Sequence, residues 1–219
     1  MLLVIAQVLT PTEAAVLREA AQGLTFDDGR KTAGRFAATV KANDQAAPSP
    51  ELDAILAKVE RALAGNGLFR SAARPKALTR LILSRYRTGQ TYGLHVDDAL
   101  MQGLRTDLSF TLFLAEPESY EGGALIIEDS FESRAIKLSP GDLILYPSTT
   151  LHRVEPVAWG ERLAIVGWVQ SLIRSGEARE ILFDLDRAVE HAHTTEGKSA
   201  QFDRLAKTRS NLLRMWAES

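Results

Sequence analysis

Two short stretches carry side chains that could hold a metal ion. In YGLHVDDALM, Tyr92 to Met101, His95 and Asp97 stand two residues apart. Alternate residues of a strand point the same way, so an imidazole and a carboxylate can be presented there to one point in space. Alone, the pair also reads as a polar turn at the end of a strand. His152 follows 57 residues later in YPSTTLHRV, behind an apolar strand and a Pro-Ser-Thr-Thr turn. Two imidazoles and one carboxylate on one face of an octahedron suit non-haem Fe(II), because three coordination positions stay open. Arg162 lies ten residues beyond His152, at the start of the apolar run RLAIVGWVQ. An arginine pointing into a barrel is costly to bury unless it meets an anion, and its planar fork matches a carboxylate. It either anchors an anionic ligand or pairs with an internal acid such as Glu128.

Such residues need a rigid frame. From residue 78 to about 171 the chain runs through short β-rich stretches, among them LTRLILSRY, DLSFTLFL, GGALIIED, DLILYPS and RLAIVGWVQ, separated by Gly, Pro and Asp. That pattern predicts an antiparallel sandwich or barrel. The opening MLLVIAQVL reads as a buried strand. Thr10, Pro11 and Glu13 then supply an N-cap, a first helical position and a capping-box partner for a helix to about Gln22, which Gly23 ends. Residues 29–50 read as a polar covering loop. Ser49 and Pro50 open a second helix, on which Leu52, Ile55, Leu56, Val59 and Leu63 recur at helical spacing until the GNG at Gly65 to Gly67 closes it. Behind Gln170 two more helices are expected, one carrying Ile181, Leu185 and Ala188, the other Phe202, Leu205, Leu212 and Trp216. The whole is α+β: N-terminal strand and helices over 1–77, a β core over 78–174 and a helical extension over 175–219.

Composition narrows the function classes. A chain of 219 residues with 45% apolar and 25% charged residues is that of an ordinary globular protein, long enough for one substantial core. A formal net charge of -2 gives no field that recruits nucleic acid or an anionic membrane. The local basic stretch from Arg70 through Arg74, Lys76, Arg80 and Arg85 to Arg87 reads as solvated faces of a strand and its approach, with an acidic partner as the alternative. The absence of cysteine excludes disulfides, thiolate metal sites and cysteine nucleophiles, and agrees with a reducing compartment. The apolar start has no basic leader or cleavage pattern and is too short to span a bilayer, so a cytoplasmic location is expected. No nucleophile elbow, Walker loop, HExxH or dinucleotide fingerprint is present.

The order Tyr86, Tyr92, His95-x-Asp97, GGALIIED, PGDLILYPS, His152, Arg162 resembles the Fe(II)- and 2-oxoglutarate-dependent dioxygenases of the prolyl and lysyl hydroxylase type. More narrowly, RYRTGQTYGLHVDDAL, RTDLSFTLFL and YPSTTLHRVEPVAWGERLAIVGWVQSLIR are similar to the bacterial PKHD-type hydroxylases, the iron-uptake-associated group called PiuC. The resemblance covers nearly the whole chain, to the closing NLLRMW. It implies a double-stranded β-helix, or jelly roll, in which His95, Asp97 and His152 hold Fe(II). It implies too that 2-oxoglutarate chelates the metal while Arg162 binds its distal carboxylate. Reaction with O2 then gives succinate, CO2 and a hydroxylated C–H bond, with ascorbate admitted as reductant. Asp97 favours hydroxylation, since related halogenases lack that carboxylate.

By the same resemblance Tyr86 is a hydrogen-bond donor near the co-substrate and Tyr92 faces the substrate, each with a packed tyrosine as the alternative. Where many prolyl hydroxylases have a tyrosine as second partner of the distal carboxylate, this chain offers Phe113, and Thr111 or Ser109 is the substitute donor. Asp98 reads as solvated or as a partner of the ligands. His191 and His193 read as a solvated pair on a helix. The apolar stripe of the C-terminal helices is expected to cover the barrel's end or to form a homodimer interface. The substrate, a small molecule or a peptidyl residue, is not written in the sequence. Rival readings are a jelly-roll module that binds metal or senses 2-oxoglutarate without turnover, and a cupin-like barrel using another divalent metal for isomerase or hydrolase chemistry.

Overall fold

The computed structural model describes residues 1–128 and 132–218. Asp129, the last residue of the GGALIIED run, lies outside them. The expected capping box is present: the Thr10 hydroxyl accepts from the Glu13 N–H at 3.2 Å, while the Glu13 carboxylate accepts from the Thr10 N–H at 2.8 Å. It opens α1, Pro11–Gln22. Ser49 caps α2, Pro50–Gly65, whose buried face is Leu52, Ile55, Leu56, Val59 and Leu63 as the spacing predicts. The GNG motif does more than stop that helix. Asn66 accepts from the Phe69 N–H at 2.9 Å and starts a short α3, Gly67–Ala73, which Arg74 ends in the left-handed conformation.

Among the described residues the strands form two main antiparallel sheets and a small ribbon that pairs Leu100–Met101 with Leu104–Arg105. Along the larger run Leu3–Ile5, Leu143–Pro147, Leu108–Phe113, Val157–Ser171, Ile82–Arg87, Asp44–Ala46 and Phe26–Asp28. The smaller is ordered Ser133–Ile136, Leu125–Glu128, His152–Val154, Thr91–His95 and Lys41–Ala42. Period-two alternation divides the work of the larger sheet. Leu83, Phe110, Leu112, Leu145, Leu163 and Ile165 bury one face in a core shared with the helical residues Leu17, Leu56, Val59 and Phe69. The opposite face turns Tyr86, Phe113, Ile144 and Tyr146 toward Leu125, Ile127 and Val154 of the smaller sheet. This is a jelly roll with helices on one outer face and an interior between the sheets. Gly122 and Gly123 (φ +71° and +62°) and Gly141 (φ +93°) serve its turns, and a Cβ on Gly141 would lie 2.2 Å from the Leu9 carbonyl oxygen.

Residues 29–50 are more ordered than the covering loop expected. After helical turns at Gly29–Thr32 and Ala37–Val40, Lys41–Ala42 joins the smaller sheet beside Thr91–His95, and Asp44–Ala46 joins the larger beside Ile82–Arg87. The segment stitches the two sheets together. Asp44 secures it, accepting from Arg85 at 3.0 Å and Gln90 at 3.0 Å and pairing with Arg87 at 2.8 Å. Polar composition hid these strands, because backbone pairing sets them rather than apolar periodicity.

Two expectations need correction. The stripe on α4, Gly176–Glu196, is only partly the expected one: Ala178, Leu182 and Ala192 are buried and Leu185 is half-buried, while Ile181 is 50% exposed and Ala188 is exposed. Leu182 and Ile173 meet Leu212, Leu213 and Trp216 of α5, Ala200–Trp216, while Ile181 and Met215 stay exposed on the extension. Arg74 is not a solvated residue of the basic stretch. It is buried, pairs with Asp186 of α4 at 2.7 Å and donates to the Leu182 carbonyl at 3.2 Å, while Arg209 of α5 reaches the same Asp186. Arg85 is half-buried over the Phe26 ring, whereas Arg70, Lys76, Arg80 and Arg87 are exposed as expected. Among the described residues no helix is long and apolar enough to cross a membrane.

Candidate metal centre

His95 ends one strand of the smaller sheet and His152 begins its neighbour, and the two are register partners. Cross-strand partners project from the same face, which brings the imidazole centroids to 4.3 Å. Asp97 follows just past the strand end. Its Oδ1 is 4.0 Å from His95 Nε2 and its Oδ2 is 3.8 Å from His152 Nε2. One ligand atom from each of the three residues falls within 4.8 Å of the others.

The hydrogen bonds around the triad select the form that binds metal. His95 Nδ1 lies 2.8 Å from the Gly93 carbonyl oxygen and His152 Nδ1 lies 3.0 Å from that of Thr150. Each Nδ1–H donates to its carbonyl, leaving the Nε2 lone pair directed at the centre. Burial, reinforced by His152 beside it, pushes the His95 imidazole down to about 4, so the ring is neutral at ordinary pH. The Ser109 hydroxyl donates to Asp97 Oδ2 at 2.5 Å and is itself 2.8 Å from the Ser148 hydroxyl. Nitrogen and oxygen donors bind first-row divalent ions at about 2.0–2.2 Å. Two neutral imidazoles and an oriented carboxylate at this spacing fit one such ion.

Arg162 is 2% exposed and is the register partner of Tyr86. Its guanidinium carbon lies 5.2 Å from the Tyr86 ring centroid and 5.3 Å from that of Phe113. The alternative of an internal ion pair does not hold: Glu128 is taken by Arg153 and Ser133, and no carboxylate among the described residues is within ion-pair distance of Arg162. Among the described residues its Nε has no hydrogen-bond partner, and the buried Tyr120 hydroxyl lies near the guanidinium. Arg162 and the triad line one cavity of about 470 Å³. A charged fork and a divalent metal site thus face one cavity.

Tyr86 and Tyr92 both line this cavity, and the Tyr92 ring stacks on His95 at 3.6 Å. Ser109 is not free to replace a missing tyrosine beside Arg162, since its hydroxyl is committed to Asp97. Thr111 does face the cavity, next to the hydroxyl of Tyr146. Tyr146, which sequence reasoning missed, lies 5.1 Å from the His152 ring, and burial together with the nearby Asp97 pushes its phenol well up. Lys41 was missed too. Strand alternation is the signal that could have found Tyr146, because Ile144 and Tyr146 share a face. Asp98 is exposed at the cavity mouth, and His191 and His193 are exposed on α4, outside the site.

The likenesses to known proteins agree with this geometry. The family model of the 2OG-Fe(II) oxygenase superfamily matches residues 81–170, and that of the PKHD-type hydroxylase C-terminal domain matches residues 177–218. A PKHD-type hydroxylase of Maricaulis maris is 49% identical over 193 residues, covering 88% of each chain. Another, of Parvibaculum lavamentivorans, is 52% identical over 198 residues and 90% of each chain. The chain belongs to the PKHD-type hydroxylases. Among solved structures, a Pseudomonas putida prolyl-4-hydroxylase has a TM-score of 0.54 at 20% identity, covering 78% of this chain and 92% of that one. At that identity it attests the jelly-roll fold alone. A PKHD-type hydroxylase is a 2-oxoglutarate-dependent dioxygenase that uses Fe(II), 2-oxoglutarate and O2, and the His95–Asp97–His152 triad fits its iron.

Proposed function

We propose that this PKHD-type hydroxylase hydroxylates an unactivated C–H bond of a small-molecule or peptidyl substrate: R–H, 2-oxoglutarate and O2 give R–OH, succinate and CO2. The observation that carries the reading is Arg162, buried without an acid in the cavity that also holds the triad. His95 Nε2, His152 Nε2 and one carboxylate oxygen of Asp97 hold Fe(II), which supplies the O2-activating chemistry once 2-oxoglutarate is bound. Arg162 takes the distal carboxylate of the co-substrate bidentately. Tyr86, its register partner, closes one side of that anion site. Tyr92 sits on the substrate side of His95 and shields the ring from solvent. A site in iron acquisition follows from the resemblance to the iron-uptake-associated group, and a cytoplasmic setting accords with the lack of cysteine.

The test begins without oxygen. Fe(II) plus 2-oxoglutarate is expected to give a visible metal-to-ligand charge-transfer band that His95→Ala abolishes. Arg162→Met should weaken co-substrate binding about 100-fold or more, as loss of a buried charge partner does. Admission of air to a panel of peptides, free amino acids and siderophores should then show succinate release above the uncoupled background. No band, together with unchanged metal binding in His95→Ala, would sink the reading.

A further inference from the structure

A second buried cation in the cavity wall has no use in the reading above. Lys41 lies on the two-residue strand that stitches residues 29–50 to the smaller sheet, in register with Tyr92. Partners across a sheet share a face, and the ammonium accordingly lies 4.9 Å from the centroid of the Tyr92 ring that stacks on His95. Lys41 is only 8% exposed. Its one side-chain hydrogen bond is a long one, 3.4 Å, to the Thr32 hydroxyl, which itself donates to Gln45 at 2.7 Å. No carboxylate among the described residues reaches ion-pair distance of it. Burial pushes the lysine down to about 8 against the opposing pull of Asp97 and Asp28, so the ammonium stays charged near neutral pH with little water around it.

Other cations at the mouth are already answered: Lys31 pairs with Asp27 at 3.4 Å, and Arg80 pairs with Asp53 at 2.8 Å. Arg162 is committed to 2-oxoglutarate on the proposed function, on which this inference rests. A buried ammonium without an acid is stable in a complex only if the ligand brings the anion. The substrate is therefore the source. The charge of that group is bounded as well, because the exposed Asp98 also lines the cavity and disfavours a dianion near a single lysine.

We propose that Lys41 anchors a carboxylate carried by the prime substrate and docks it on the Tyr92 side of the metal centre. The substrate class is thus a carboxylic acid, either a small acid or a peptide presenting an acidic side chain or terminus. The stitching segment that carries Lys41 is then the specificity element of the fold.

The test uses the full chain loaded with Zn(II) and 2-oxoglutarate, which cannot turn over, and reads binding by calorimetry. The probes are N-acetylglycine and benzoate, each against its carboxamide, with methyl phosphate as the dianion. Each carboxylate is expected to bind about tenfold or more tightly than its amide, the worth of a hydrogen-bonded charge. Lys41→Met should erase that preference and Lys41→Arg should restore part of it. Equal binding of carboxylate and amide, no binding of either, or a preference that survives in Lys41→Met would overturn the assignment. Tighter binding of methyl phosphate would overturn the choice of a carboxylate. The anaerobic charge-transfer band separates the two levels of inference. A missing band in the unaltered protein defeats the co-substrate reading itself, whereas a band without carboxylate preference defeats Lys41 alone.

Discussion

Ser109 does for Asp97 what the carbonyls of Gly93 and Thr150 do for the two histidines: it fixes which atom faces the centre. Removing such a partner commonly costs 10- to 100-fold in metal affinity. Ser109→Ala should therefore weaken Fe(II) or Co(II) binding by about that factor in a chelator competition, while the circular dichroism of the sheet is unchanged. Arg162 leads to a prediction of opposite sign for stability. A buried charge without an acid burdens the ligand-free protein, so Arg162→Met should raise its thermal midpoint, by about 1 kcal/mol or more in stability, while weakening co-substrate binding. A fall in the midpoint would show that the guanidinium is satisfied without a ligand. The triad and Arg162 were legible in the sequence because residue type, strand alternation and order along the chain converge on them. Lys41 and the bond of Ser109 to Asp97 were not, because each depends on register between strands distant in sequence, whereas Tyr146 was readable from strand alternation and was overlooked.

Among the elements, helices with caps and a clear apolar stripe were legible in the sequence. The Thr10–Glu13 box and the α2 face stand where local chemistry puts them. Elements set by pairing were not, and residues 41–46 are the example: Lys41 and Asp44 carry no strand signal until Tyr92 and Arg85 stand opposite them. Ile181 and Ala188 of α4 face outward for a related reason, since the partners of that helix on α5 and α3 decide which side is inward. Asp44 is the clasp of the stitching segment. Burial opposes its ionisation, but Gln90, Arg85 and Arg87 together hold the carboxyl below its usual range. The stability it contributes is present above the unfolded value of about 3.9 and is lost as pH falls through the lower folded value. Asp44→Asn should remove that part of the acid-induced decline in urea midpoint and speed amide exchange over residues 41–46. Unaltered exchange there would mean that backbone pairing alone retains the segment.

Across the whole molecule, the barrel and the C-terminal helices are joined by one buried cluster in which Arg74, at the end of α3, meets Asp186 of α4 and Arg209 of α5. Asp186→Ala strands Arg74 without an acid and should destabilise the protein by about 3 kcal/mol in chemical denaturation, as breaking a buried pair does. If the cost is far smaller, the helical extension is held by Leu182 and its apolar neighbours instead. The jelly roll itself has a further consequence. Its two sheets set the spacing of His95, Asp97 and His152, and backbone carbonyls fix both histidine tautomers. Two imidazoles and a carboxylate accept several first-row divalent ions, so this donor set alone does not single out one metal. Intrinsic affinity then follows the general order that ranks Ni(II), Cu(II) and Zn(II) above Fe(II). Which ion fills the site is then a matter of metal supply as well as of the three donors, and a preparation loaded with Ni(II), Cu(II) or Zn(II) is expected to regain turnover only after exchange for Fe(II).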